Sequence, residues 1–214
     1  MLSASTPMLA VFASGNGSNF EALAGAGRSG ALGGTIAALF SDRPDSRACE
    51  CARALGIETV CPPVGRFRTR IEDERTWLDA LHARRVGCVL LAGFMRRIHA
   101  TLLDAFPERI LNIHPSLLPA FPGLDAIARA FDHGARVTGC TVHLVDAGLD
   151  QGAIVAQAAI EVREGDTLEA LEARMHEAEH ALYPSAVRRF LTEPWRREGR
   201  RLVFESRAGE KHRA

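Results

Sequence analysis

Short apolar runs alternate with stretches of helical spacing along most of the chain. The first run, residues 8–14, breaks at Gly15-Asn16-Gly17-Ser18-Asn19 and gives way to a helical pattern over 20–28. A second run at 35–41 leads through Asp42-Arg43-Pro44 into a helical stretch at 45–55. A short third strand at 58–60, a helix at 69–85 and the most apolar strand, 87–92, come next. A helix at 98–106, a strand at 109–113, a proline-punctuated loop at 114–123 and a helix at 124–133 follow. Residues 137–145 and 154–162 read as two strands able to pair antiparallel at a sheet edge. The last strong helix spans 166–182, capped by Asp166 or Thr167 and stopped by Pro184, and a small strand is expected at 201–204.

Strands that alternate with helices predict an α/β fold, doubly wound around a mostly parallel sheet, with an antiparallel edge in the C-terminal half. No repeat, linker or low-complexity block divides the chain, so one domain is expected over residues 1–214, with a core at 8–184 and a tail at 185–214.

Composition narrows the chemistry. The 214 residues are 47% hydrophobic and 24% charged, the balance of an ordinary globular protein. The 26 basic and 26 acidic residues cancel, so no global field holds nucleic acid or an anionic membrane, and any anion is gripped locally. Lys211, near the C-terminus, is the sole lysine, which excludes Schiff-base and Walker-type lysine chemistry. Five cysteines without a C-x-x-C pair fit a reducing cytoplasm, and the N-terminal residues 1–7 carry no basic leader region.

Four constellations could carry chemistry. Ser14 to Asn19 is a glycine turn opening a helix, suited to a phosphate or merely to a tight connection; Phe20 fills the third glycine position of a dinucleotide fingerprint. Asn112 and His114 project to one side of a strand end, a carboxamide beside an imidazole that could serve an oxyanion and a proton. His143, Asp146 and Asp150 follow; a carboxylate near His114 would orient the ring and favour the imidazolium, whereas both aspartates could equally be surface turn residues. His176-Glu177-Ala178-Glu179-His180 matches H-E-x-x-H, so a zinc hydrolase stands as a competing reading, with Glu198 or Glu205 as a third ligand. A catalytically silent nucleotide or folate sensor is a third.

Ser14-Gly-Asn-Gly-Ser-Asn19, Leu91-Ala-Gly-Phe-Met-Arg96, Asn112-Ile-His-Pro-Ser-Leu-Leu-Pro119 with Phe121-Pro-Gly123, and Asp150-Gln-Gly152 together resemble the phosphoribosylglycinamide formyltransferases. The resemblance runs in order from Met8 to Tyr183. Methionyl-tRNA formyltransferases and formyltetrahydrofolate deformylases share Asn-x-His and the later Asp, but usually carry an added domain for which this length leaves no room. The resemblance implies a Rossmann-like fold and formyl transfer from 10-formyltetrahydrofolate, as co-substrate, to glycinamide ribonucleotide. By it Asn112, His114 and Asp150 are catalytic and His143 supports them. Gly17, Ser18, Asn19 and Glu179 hold the phosphoribosyl group, which gives H-E-x-x-H a non-metal explanation. Arg70, Phe94, Met95, Arg96, Arg97, Ile98 and Asp146 flank the folate, with Arg70 and Arg96 for its glutamate carboxylates. It also implies no metal, no nucleic acid or membrane, a monomer or weak homodimer, and a cytoplasmic location. Ala120, Arg97, His99 and His176 depart from the family's pattern, so side-chain contacts at those positions are not carried over.

Overall fold

A computed structural model describes residues 6–67 and 69–205; Lys211 and the first five residues lie outside the described part. The chain folds as β1 (Met8–Phe12), α1 (Ser18–Arg28), β2 (Thr35–Phe40), α2 (Arg47–Ala54), β3 (Glu58–Val60), α3 (Glu74–Ala83), β4 (Val86–Leu91), α4 (Ala100–Ala105), β5 (Ile110–His114), α5 (Ala126–Asp132), β6 (Val137–Leu144), β7 (Ile154–Glu161), α6 (Leu168–Thr192), β8 (Trp195–Glu198) and β9 (Arg201–Phe204).

The nine strands among the described residues form one sheet in the order β3-β2-β1-β4-β5-β6-β7-β9-β8. The first five run parallel, and β6 is antiparallel to both β5 and β7. Antiparallel pairing therefore begins inside the sheet, because the C-terminal hairpin of β8 and β9 extends it past β7. Alternation along the strands splits the core in two. Leu9 and Val11 point to a layer with Phe20 and Leu23 of α1 and Tyr183, Val187 and Phe190 of α6. Ala10 and Phe12 point the other way, to Trp77 and Leu81 of α3 and Leu102 of α4. A strand buried on both faces must be apolar throughout, which is why β1 and β4 read as unbroken hydrophobic runs.

The chain winds outward from β1 through β2 to β3, then returns to lay β4 and β5 on the other side of β1. That reversal opens a crevice at the C-terminal ends of β1 and β4, where open α/β sheets take ligands.

Several boundaries differ from the sequence expectation. Helix α3 begins at Glu74 rather than 69, because the Asp73 carboxylate accepts from Arg75 N–H at 2.9 Å and caps it. Helix α4 begins at Ala100 because Ile98 is buried in the core and Glu74, from α3, accepts the backbone N–H groups of His99 and Leu102 at 2.6 and 3.1 Å. Helix α6 continues through Pro184 to Thr192, so residues 185–192 are helix rather than tail. Proline removes one helical donor, but Tyr183, Ala186, Val187 and Phe190 bury against the sheet and outweigh that loss. Thr167 is the cap of this helix; Asp166 instead pairs with Arg174.

Candidate active site

The turn after β1 is built around a position that only glycine fits. Gly17 has φ 78°, and a Cβ there would lie 2.7 Å from Ala48 Cα of α2. As N-cap it supplies no side chain, so the first N–H groups of α1 are left without a side-chain partner. Ser14 ties this turn across the crevice: its N–H donates to Gly93 O at 3.1 Å, and its hydroxyl accepts from Met95 N–H at 2.9 Å. Asn19 Nδ2 donates to Glu179 Oε2 of α6 at 3.0 Å, and Asn19 Oδ1 is buried without a partner. Glu179, 4% exposed, also receives His176 Nδ1 at 3.1 Å.

The second half of the site hangs from β5 and β6. Cross-strand register sets Asn112 opposite His143 and His114 opposite Thr141. Asn112 and His114, two residues apart, leave the same face of β5. Asp150 arrives from the connection between β6 and β7 in a left-handed conformation, φ 51°, which aspartate tolerates better than most residues. Its Oδ2 lies 3.5 Å from His114 Nδ1 and accepts Gly123 N–H at 2.8 Å. Gly152, two residues on, has no alternative: a Cβ would fall 1.7 Å from Leu144 O. His114 Nε2 faces Phe121 O at 3.0 Å. Both ring nitrogens therefore face oxygen atoms.

Burial, more than any other influence, pushes the His143 imidazole below the usual histidine range, although the Leu144 carbonyl and Asp150 oppose the shift. A neutral ring that donates from Nδ1 to Leu144 O at 2.8 Å leaves Nε2 as an acceptor. That acceptor takes Asn112 Nδ2 at 3.1 Å, which fixes which end of the carboxamide is the donor. The 114–123 loop is braced from beneath, since Thr141 Oγ1 donates to Ser116 O at 2.6 Å and accepts Leu118 N–H at 3.1 Å.

Residues 8–187 match the family described as formyl transferase. The chain belongs to this family. It is 45% identical over 182 residues to a protein named phosphoribosylglycinamide formyltransferase from Bacillus subtilis (strain 168), covering 85% of this chain and 93% of the relative. The structure resembles glycinamide ribonucleotide transformylase 1 from Symbiobacterium toebii with a TM-score of 0.89 and 43% identity, over 94% of this chain and 95% of that one. The corresponding enzyme from Geobacillus kaustophilus gives 0.83 and 42%, over 87% and 99%.

Within this formyl transferase frame the remaining sequence candidates separate by environment. Phe94 and Ile98 put their side chains into the core, Phe94 packing edge-on to Phe12 at 5.2 Å, so only their backbone can face a ligand. Met95 is 60% exposed, and Leu149, in the 146–150 connection that the sequence also singles out, is 48% exposed. Asp146 closes its own turn by accepting Gly148 N–H at 2.9 Å. Arg97 joins Arg70 through an isolated backbone bridge. Arg96 is engaged with Asp42 and backbone carbonyls.

The H-E-x-x-H residues are held otherwise than a zinc helix requires. His176 turns to Glu179, its ring 6.3 Å from that of His180, and Glu198 pairs with Arg196 on β8. Among the described residues no three His, Cys, Asp or Glu side chains converge in a metal-holding arrangement, and no helix is long and apolar enough to cross a membrane. Two partners of the catalytic candidates, the Phe121 carbonyl and the Gly123 N–H, carry no local sequence signal, because they are backbone groups brought in by the loop.

Proposed function

We propose that this formyl transferase moves the formyl group of 10-formyltetrahydrofolate to the amino group of glycinamide ribonucleotide, as a cytoplasmic enzyme of purine synthesis acting on two small molecules. The observation that carries the reading is the approach of Asp150 Oδ2 to His114 Nδ1 at 3.5 Å, with Asn112 on the same face of β5, in a chain 45% identical to a protein of that name. Gly17, Ser18 and Asn19 would take the ribonucleotide phosphate on the α1 N-terminus, and Glu179 its sugar. Met95 and Leu149 would flank the folate ring, with the 93–98 backbone and Asp146 at its edge and Arg70 at its carboxylates.

The amine nitrogen attacks the formyl carbon and forms the new C–N bond. Asn112 Nδ2 donates to the oxyanion that develops on the formyl oxygen, and protonated His114 donates beside it by exchanging the Phe121 carbonyl at Nε2 for that oxygen. Asp150 keeps the imidazolium oriented and accepts the proton released by the amine, which passes to the folate nitrogen as its C–N bond breaks. The reading places no metal in this sequence.

A spectrophotometric assay of the purified chain tests it. Turnover that requires both substrates and survives chelation is expected. Chelator-sensitive activity, or ligand binding without turnover, would contradict it in favour of the zinc hydrolase or the sensor.

A further inference from the structure

Arg96 stands at the C-terminal end of β4, where a cation invites assignment as a ligand for the donor's carboxylates, yet its contacts are internal. Its side chain is 13% exposed, and Nε donates to Asp42 Oδ2 at 2.7 Å; Asp42 is 5% exposed. Its Nη1 donates to the carbonyls of Phe67 and Arg70, the latter at 3.3 Å. The neighbouring Arg97 N–H donates to Thr69 O at 2.9 Å. One guanidinium thus joins the segments that follow β2, β3 and β4. Arg70, by contrast, is exposed, lies over the Phe67 ring at 4.0 Å, and has no ion-pair partner among the described residues. It lines a cavity of about 420 Å³ with Arg66, Phe67, Glu72, Glu74, His99 and Thr101, where Glu72 is paired with Arg66 and Glu74 accepts the backbone N–H groups of His99 and Leu102.

We propose that Arg96 is a positioning residue for the formyl donor: held by Asp42, it fixes Phe67 and Arg70 through their carbonyls, so that Arg70 presents its charge to the donor's carboxylates. The proposal rests on the formyl-transfer reading. Its chemistry separates the two roles of Arg96. If the guanidinium were itself the carboxylate ligand, neutralising Asp42 would free it and leave donor affinity intact. If it is the tie, neutralising Asp42 strands a buried cation and slackens its hold on those two residues, and donor affinity falls although nothing that touches donor has changed.

The test is steady-state kinetics on the full chain and on Asp42→Asn, Arg96→Gln, Arg96→Lys and the Asp42→Asn/Arg96→Gln double variant, with a melting curve for each. Lysine keeps a charge for Asp42 but lacks the planar fork that spans the carbonyls, so it keeps the question answerable should Arg96→Gln fold poorly. Asp42→Asn and both Arg96 variants are expected to raise the donor KM about tenfold. The ribonucleotide KM stays within about twofold, and the double variant is no worse than the weaker single one. A normal donor KM in Asp42→Asn or in Arg96→Lys, additive effects in the double variant, or both KM values rising together would overturn the proposal. The unaltered chain is assayed beside them: no turnover there would overturn the formyl-transfer reading and this proposal with it. Turnover there together with any contrary result above overturns this proposal alone.

Discussion

His143 shows how a residue that need not touch substrate sets the chemistry of one that does. Neutral, it accepts from Asn112 and turns the carboxamide so that its NH₂ is the fixed donor. Removing Asn112 or His114 by alanine substitution is expected to lower kcat on the order of 10² to 10³, the usual cost of one oxyanion donor, as read in steady-state assays. The depressed His143 titration also has a direction for stability. The unfolded chain protonates this ring at about pH 6.5 and the folded chain only lower, so stabilisation is complete above that value and is lost as pH falls below it. His176, raised by Glu179 but 54% exposed on its side chain, acts in the opposite sense and weakly. Urea midpoints are therefore expected to drop between about pH 7.5 and about pH 5.5, and to drop less in His143→Gln. Gly17→Ala, with its Cβ driven into the α2 backbone at positive φ, is expected to cost about 1–3 kcal/mol in the same titration at neutral pH. The pairing of Asn112 with His114 was legible in sequence through two-residue spacing. The pairing of Asn112 with His143 was not, because it depends on the register of a partner strand.

At the scale of elements, burial decided where local signals were overruled. Pro184 reads as a stop, yet α6 runs on because Tyr183 is anchored: fully buried, its hydroxyl lies 3.0 Å from Leu91 O and 3.1 Å from Leu111 O, tying the helix to β4 and β5. Tyr183→Phe is expected to cost about 1–2 kcal/mol by thermal or urea unfolding, with the fold retained. A cost near zero would show that strand pairing alone satisfies those carbonyls. Helix α4 illustrates the converse. Its capping carboxylate, Glu74, lies 25 residues from His99 in sequence, too far for any local pattern to announce. The periodic strands β1, β2 and β4 and the glycine turn were readable because alternation, apolar runs and Gly-Asn-Gly are local physics. The C-terminal hairpin was half-read, as β9 without β8, since Trp195 to Glu198 is polar and finds its place through Trp195 stacking on Phe190 at 4.9 Å.

At the scale of the molecule, the reversal of strand order at β1 and β4 brings distant segments to one crevice. The Ser14–Asn19 turn and the 93–98 segment meet there through Ser14, and β5 delivers Asn112 and His114 alongside. Sequence spacing announced the doubly wound plan and the antiparallel pairing of β6 with β7, but not that β6 also runs antiparallel to β5, on which the approach of Asp150 depends. The most direct measurement follows the formyl carbon itself. With ¹³C-formyl donor and glycinamide ribonucleotide, the label is predicted to appear in an N-formyl amide as folate is released, one for one, and to stay on the donor when Asn112 and His114 are both replaced. Label recovered as free formate, or transfer undiminished in that double variant, would contradict the account.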